Sequence, residues 1–235
     1  MEKIVETRNK VLKALAGKLQ EFYLAGGTAL SLFYFKHRES YDLDFFTSEF
    51  SREKIEGVIR ALEQTTGLRI ELTAEHNQQG FARILVYYVH IDDENTLKID
   101  FVEDRYNLLE PLLIVDGIPV LSREDIYLRK ILTACGSIAS VDTIGRRVFI
   151  GGRQEAKDFF DLYFLSKTFT PLSKFVNAYC RQPHKESIII WFRTYDRLEM
   201  KVGLTEIMTD KSVTFQEMER HFKEEVDKII SAELE

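Results

Sequence analysis

Four prolines and twelve glycines are spread through 235 residues without any period. No low-complexity stretch or short internal repeat is present, which excludes collagen-like, linker-like and solenoid architectures. Only two cysteines occur, Cys135 and Cys180, far apart and without metal-ligand spacing. They predict buried free thiols in a reducing compartment rather than a disulfide framework or a thiolate metal site. Positive charge is in deficit: the formal net charge is −6, so no global basic field attracts nucleic acid, although a local patch suffices for that. Apolar runs stay far below the ~20 residues that span a bilayer. Met1 leads into a charged amphipathic stretch rather than a signal-peptide pattern. A cytoplasmic protein with no membrane contact is expected.

With 45% hydrophobic and 30% charged residues, the chain is long enough to bury a sizeable core. Ile4, Val11, Leu12, Leu15 and Leu19 recur at helical spacing and predict a helix over about residues 2–20. Phe22 to Leu24 reads as a short strand, Gly26-Gly27-Thr28 as a tight turn, and Ala29 to Lys36 as an apolar helical run. After the polar break His37-Arg38-Glu39-Ser40, a second strand covers Asp42 to Phe46. Ser51 caps a third helix that ends at Gly67. Arg69–Thr73, Phe81–His90 and Thr96–Val102 read as strands, and Leu112–Leu121 as a hairpin at the sheet edge. From Ser122 onward the pattern is helical, with Ser137 to Gly152 as a polar loop. Arg153–Lys167 is apolar nearly all round, as a central buried helix would be. Helices over Pro171–Tyr179 and Glu186–Leu198 and a last one after Thr214 complete the outline. The expected fold is α/β (α+β), a mixed-sheet core over residues 1–120 and a helical part over 121–235 packed on it as one body.

Residues i and i+2 of a strand point the same way, about 6.6 Å apart. Asp42 and Asp44 therefore share one face while Leu43 and Phe45 face the core. Two carboxylates so close repel unless a cation lies between them or one is protonated. Asp100, on the polar face of the strand Leu97–Phe101, adds a third. Such a cluster suits magnesium, a hard cation that takes carboxylates and substrate phosphates. A pair of such ions would activate a hydroxyl and stabilise a leaving pyrophosphate. A solvated strand end is the plainer reading of the Asp pair alone.

The glycine turn supports the same chemistry. Gly26 and Gly27 leave room for a phosphate, and the amides of Thr28 and Ala29 open a helix, where the dipole favours an anion. Most such glycine pairs are simply turns. Arg38 and Ser40 lie on the return loop: Arg38 either contacts a phosphate or pairs with Glu39 or Asp42 to hold the loop. His37 has no second histidine at ligand spacing. Lys157 and Asp161 are i,i+4 neighbours, an ordinary helix ion pair. Asp158 and Asp161 nonetheless interrupt an apolar helix, where acids are costly without partners. Lys130, in another apolar helix, is the natural cation for a triphosphate.

The stretch LAGGTALSLFYFKHRESYDLDFF resembles the first two motifs of the AbiEii/AbiGii-type nucleotidyltransferase toxins, a branch of the DNA polymerase beta-like superfamily. LKIDFV is similar to that family's third-carboxylate strand, DIYLRKILTA to its lysine helix and KDFFDLYFLSK to its closing motif. The resemblance spans about residues 20–167. Two departures are Thr28 where the superfamily has Ser, and Lys157 where it has Arg. It implies metal binding by Asp42, Asp44 and Asp100, with Asp100 assisting deprotonation of the attacking hydroxyl. It further implies triphosphate contacts from Gly27, Thr28 and Lys130, with Asp158 needed in the site. A nucleoside monophosphate would pass from an NTP to an acceptor, with tRNA or another RNA 3′ end first and a protein second. A toxin role with a cognate antitoxin is also implied. Arg146, Arg147 and Arg153 form a basic stretch suited to an RNA backbone or simply a solvated loop. The Asp42-Leu43-Asp44 pattern is similar to that of aspartyl-phosphate phosphatases too, but Phe46 stands where Thr or Val is needed. A catalytically inactive partner-binding module would show a broken carboxylate set or lysine, and all are present.

Overall fold

A computed structural model describes residues 2–234, which divide into two compact units. The first comprises residues up to Tyr34 together with Ser40–Asp125; the second comprises Phe35–Glu39 and the chain from Ile126.

The first unit is built on a seven-stranded mixed sheet. Its strands are β1 (Tyr23–Ala25), β2 (Leu43–Thr47), β3 (Arg69–His76), β4 (Ile84–His90), β5 (Thr96–Glu103), β6 (Leu113–Val115) and β7 (Ile118–Val120). Their order is β3-β4-β5-β2-β1-β7-β6. β1 runs antiparallel to β2, whereas β2–β5 and β1–β7 are parallel. The mixed sheet and the edge hairpin are those expected from the sequence.

Alternation fixes which face of this sheet is dry. Leu43 and Phe45 of β2 and Leu97, Ile99 and Phe101 of β5 are buried, and Phe45 stacks on Phe101 at 5.6 Å. Helices α1 (Glu2–Leu15) and α3 (Arg52–Thr66) pack together, α1 also meeting β5 and α3 meeting β3. They bury Val11, Leu12 and Leu15, and Ile55, Ile59 and Leu62. Each such side chain contributes about 1.5–3 kcal/mol on burial. α1 is shorter than the apolar spacing predicts: Gly17 turns left-handed and its amide bonds the Gly117 carbonyl at 2.8 Å. Ser51 caps α3 and Gly67 ends it in the left-handed conformation, as read from the sequence.

Between β1 and β2 the chain forms a short α-helical turn, α2 (Gly26–Ala29), which continues as a π-helix over Leu30–Phe35. Wider π winding inside helices frequently marks functional sites.

The second unit is helical. Helix α4 (Arg123–Cys135) begins in the first unit and enters the second at Ile126. It is followed by α5 (Ala156–Thr168), α6 (Leu172–Tyr179), α7 (Gln182–Thr194), α8 (Arg197–Leu204) and α9 (Phe215–Leu234). Every residue of α5 from Asp158 to Ser166 is buried, which makes it the central helix anticipated. Phe159 anchors an aromatic cluster with Trp191, Tyr195, Phe215 and Phe222.

Two segments differ from expectation. The predicted polar loop over 137–152 is a hairpin, β8 (Ile138–Val141) paired with β9 (Arg147–Ile150). Its β-branched and aromatic strands flank a turn in which Asp142 Oδ1 accepts the amides of Ile144 and Arg146, a turn chemistry outweighed in the reading by neighbouring Gly, Ser and Arg. The expected helix over 186–198 is two helices, because the Asp196 side chain caps Glu199 and restarts the chain as α8.

Candidate active site

The glycine turn and the carboxylate pair meet through Asp44. Gly26 has φ +68°, and a Cβ there would overlap the Asp44 carboxylate, whose Cγ would lie 3.0 Å away. Only glycine allows this close approach. Ala25, just before the turn, is the register partner of Asp44 across β1–β2. Thr28 is fully buried; its hydroxyl donates to the Asp42 carbonyl and lies 2.9 Å from Ser40 Oγ. A threonine hydroxyl has one proton, so Ser40 is the donor in the second contact and the Thr28 side chain is occupied in holding the return loop. The Ser40 carbonyl in turn accepts Arg8 at 2.7 Å. What the turn presents is backbone: Ala25 offers no side-chain cap, and first-turn amides of a helix have no intrahelical partner.

The third acid stands beside the pair. Asp44 is the register partner of Asp100 across the parallel β2–β5 ladder, so the two share the face opposite the core at about 4.8 Å strand spacing. Asp42 lies two residues before Asp44, just ahead of β2. Lys98 completes the group: Nζ donates to Asp100 Oδ2 at 2.5 Å. Burial disfavours its charge, yet the hydrogen bond to Asp100 and the fields of Asp100, Asp42 and Asp44 raise the ammonium above its ordinary value. The observed cation contact of this acid group is the one from Lys98 to Asp100. Hard oxygen donors of this kind fit magnesium. Among the described residues, no three His, Cys, Asp or Glu side chains are grouped closely enough to hold a metal ion.

The second unit carries a separate charge cluster. Asp161, fully buried on α5, accepts Arg38 Nε at 2.7 Å on Oδ1 and Nη2 at 2.9 Å on Oδ2, and His37 Nε2 also meets Oδ1 at 2.7 Å. Lys130 Nζ lies 2.7 Å from both Asp161 Oδ2 and Asp158 Oδ1, and Arg153 reaches Asp158 Oδ2 at 2.7 Å. Burial opposes ionisation of Asp161, but Lys130 and Arg38 hold its carboxyl well below the usual range. Burial likewise works against Asp158, and Lys130 and Arg153 lower it. Burial works against Lys130 in turn, and the two aspartates raise it.

The structure thus brings Gly26, Gly27, Thr28, Ser40, Asp42, Asp44 and Asp100 into the first unit, and Arg38, Lys130, Asp158 and Asp161 into the second. Arg38 grips Asp161 with its fork and also donates from Nη1 to the Glu39 carbonyl at 3.0 Å, so it holds the return loop at Glu39. Lys157 does not pair with Asp161 as the i,i+4 spacing suggests; it bonds Glu155 at 2.9 Å, because the Asp161 carboxylate is engaged inside the core. Sequence reading overlooked two residues. Lys98 was only a polar position in an alternating strand, though its i,i+2 relation to Asp100 was legible. His37 gave no signal, because its partner lies far along the chain.

No protein of curated description matches the chain. Among solved structures, JHP933 from Helicobacter pylori is 18% identical, with a TM-score of 0.59 over 99% of this chain and 96% of that one. A second H. pylori structure, provisionally named a nucleotidyltransferase, is also 18% identical, with a TM-score of 0.57 over 98% and 95% of the two chains. These likenesses establish a shared fold. A family model described as the nucleotidyl transferase AbiEii toxin of type IV toxin–antitoxin systems matches residues 10–235. The chain therefore belongs to the AbiEii toxin family and is a nucleotidyltransferase.

Proposed function

We propose that the protein transfers a nucleoside monophosphate from an NTP to the 3′ hydroxyl of an RNA acceptor, with tRNA foremost, and that it is the toxin partner of a cognate antitoxin. The observation that carries this reading is the registered pair Asp44–Asp100 on the face opposite the core, with Asp42 just ahead of β2. Such a trio has little structural purpose, since three adjacent carboxylates repel one another. It suits a cation that itself serves a polyphosphate.

Asp42, Asp44 and Asp100 would hold magnesium, which when bound neutralises phosphate charge and lowers the cost of forming an alkoxide. The first-turn amides of Gly27 and Thr28 orient the triphosphate at a helix start. Asp100 accepts the proton of the acceptor hydroxyl as its oxygen bonds the α-phosphorus. The bond from that phosphorus to the bridging oxygen breaks, and pyrophosphate leaves with the electron pair. Within the second unit, Lys130 Nζ lies 2.7 Å from both Asp158 and Asp161. Asp158 and Asp161 keep Lys130 and Arg38 charged and oriented. Arg146 of the β8–β9 hairpin supplies local positive charge for an RNA backbone, while the half-exposed Arg147 and Arg153 are paired with Glu186 and Asp158.

The test is incubation of the purified protein with magnesium, each of the four labelled NTPs and total RNA. Label should appear on RNA of tRNA size from one or more nucleotides and be absent with Asp44→Ala. Label on protein alone moves the acceptor to a protein hydroxyl, and label that survives Asp44→Ala removes the assigned site.

A further inference from the structure

The most unusual charge in the first unit is a cation among the acids. Resting on the reading of Asp42, Asp44 and Asp100 as the metal-binding set, we propose that Lys98 is a resident counter-cation of that cluster, displaced when a divalent ion loads. Metal entry and Lys98 departure are then one event.

The placement carries this. Lys98 and Asp100 are i and i+2 on β5, on the same face, with Nζ 2.5 Å from Asp100 Oδ2. β2–β5 pairs Leu43 with Ile99 and Asp44 with Asp100. The ammonium therefore bonds one acid of the trio on its own strand, and that acid is the register partner of Asp44. A carboxylate oxygen bonded to an ammonium proton is not simultaneously a good ligand for a hard dication, and a monovalent and a divalent cation in one small cluster repel. The two occupancies exclude each other.

The exit is also built in. The Lys98 side chain is 32% exposed, on a flexible four-carbon stem that swings to solvent at little cost. The side chain thus offsets one of the trio's three negative charges and eases their mutual repulsion. It also weakens the site for free metal, so that loading is favoured when a metal arrives together with the negative charge of a nucleotide.

Calorimetric titration with magnesium chloride, and with manganese chloride followed by paramagnetic resonance, tests the competition. Lys98→Met should bind either ion at least about tenfold tighter than wild type, and Lys98→Arg should stay near wild type because it keeps the cation. Asp100→Asn should weaken binding. Acetylation of Lys98 in the wild-type protein by an N-hydroxysuccinimide ester, followed by peptide mass spectrometry, gives a readout independent of any variant. Its rate should rise several-fold in magnesium over chelator, relative to the exposed lysines of the same digest. Equal or weaker metal binding by Lys98→Met, or an acetylation rate indifferent to magnesium, overturns this role while leaving the metal trio standing. Absence of metal binding in both wild type and Lys98→Met overturns the role and the reading beneath it.

Discussion

Gly26 and Asp44 occupy one place: a methyl group on the first would overlap the carboxylate of the second. The phosphate turn and the acid pair are thus one steric unit. Gly26→Ala should push Asp44 off its position without removing any acid. A non-glycine residue at φ +68° also carries about 1–2 kcal/mol of backbone strain. We expect nucleotide transfer to fall at least about 100-fold, a loss typical of small displacements at reacting groups, alongside a modest drop in the urea midpoint. Transfer at the wild-type rate would separate the turn from the chemistry.

Asp44→Asn and Asp100→Asn separate a functional acid from a structural one. Asp44→Asn removes a charge from a repelling trio, so stability should stay within about 0.5 kcal/mol of wild type or rise slightly, whereas Asp100→Asn also takes away the carboxylate partner of Lys98 and should cost about 1 kcal/mol. Transfer should fall by three orders of magnitude or more. Urea denaturation and labelled-NTP turnover on the same preparations decide it; a large stability loss would make these acids part of the scaffold.

The sequence exposed the trio because strand alternation is a short-range property. Leu97, Ile99 and Phe101 against Lys98 and Asp100 can be sorted by eye, and the glycine pair sits one helix away from Asp42. The register that sets Asp44 beside Asp100 is non-local, fixed by Phe45 packing on Phe101, and alternation within either strand does not dictate it. The second cluster was half visible. Asp158 and Asp161 stood out as acids on an apolar helix, while their partners Arg38 and His37 lie more than a hundred residues upstream and carry no local signature. The 137–152 hairpin was missed because composition outweighed the β-branched residues on both sides of its turn.

Lys130→Met tests whether the interior cluster holds the second unit together. Removing this cation leaves Asp158 and Asp161 with less compensation in a buried place, which costs about 3–5 kcal/mol when a buried pair is broken. The thermal midpoint should fall by many degrees. The double variant Lys130→Met with Asp158→Asn should recover part of that loss, since the stranded charge is then removed as well. A Lys130→Met protein as stable as wild type would mean that the buried acids are satisfied without it.

The same cluster sets a pH window for stability. Asp158 and Asp161 have carboxyls held below the unfolded value near 3.9. Their contribution is complete above about pH 4 and disappears as the pH falls from there toward their folded values. Lys130 has an ammonium raised above the unfolded value near 10.4. Its contribution is complete below about pH 10 and is lost as the pH rises through the folded value. The urea midpoint should therefore be flat between these limits and fall on both sides. Asp161→Asn should be less stable than wild type across the plateau, because Arg38 and Lys130 lose a shared partner. That deficit should narrow below about pH 4, where wild type is losing the same carboxylate to protonation. Lys130→Met should lack the part of the alkaline fall that Lys130 causes. Denaturation curves at half-unit pH steps read all three proteins, and a deficit in Asp161→Asn that stays constant into acid would remove the buried carboxylate as its origin.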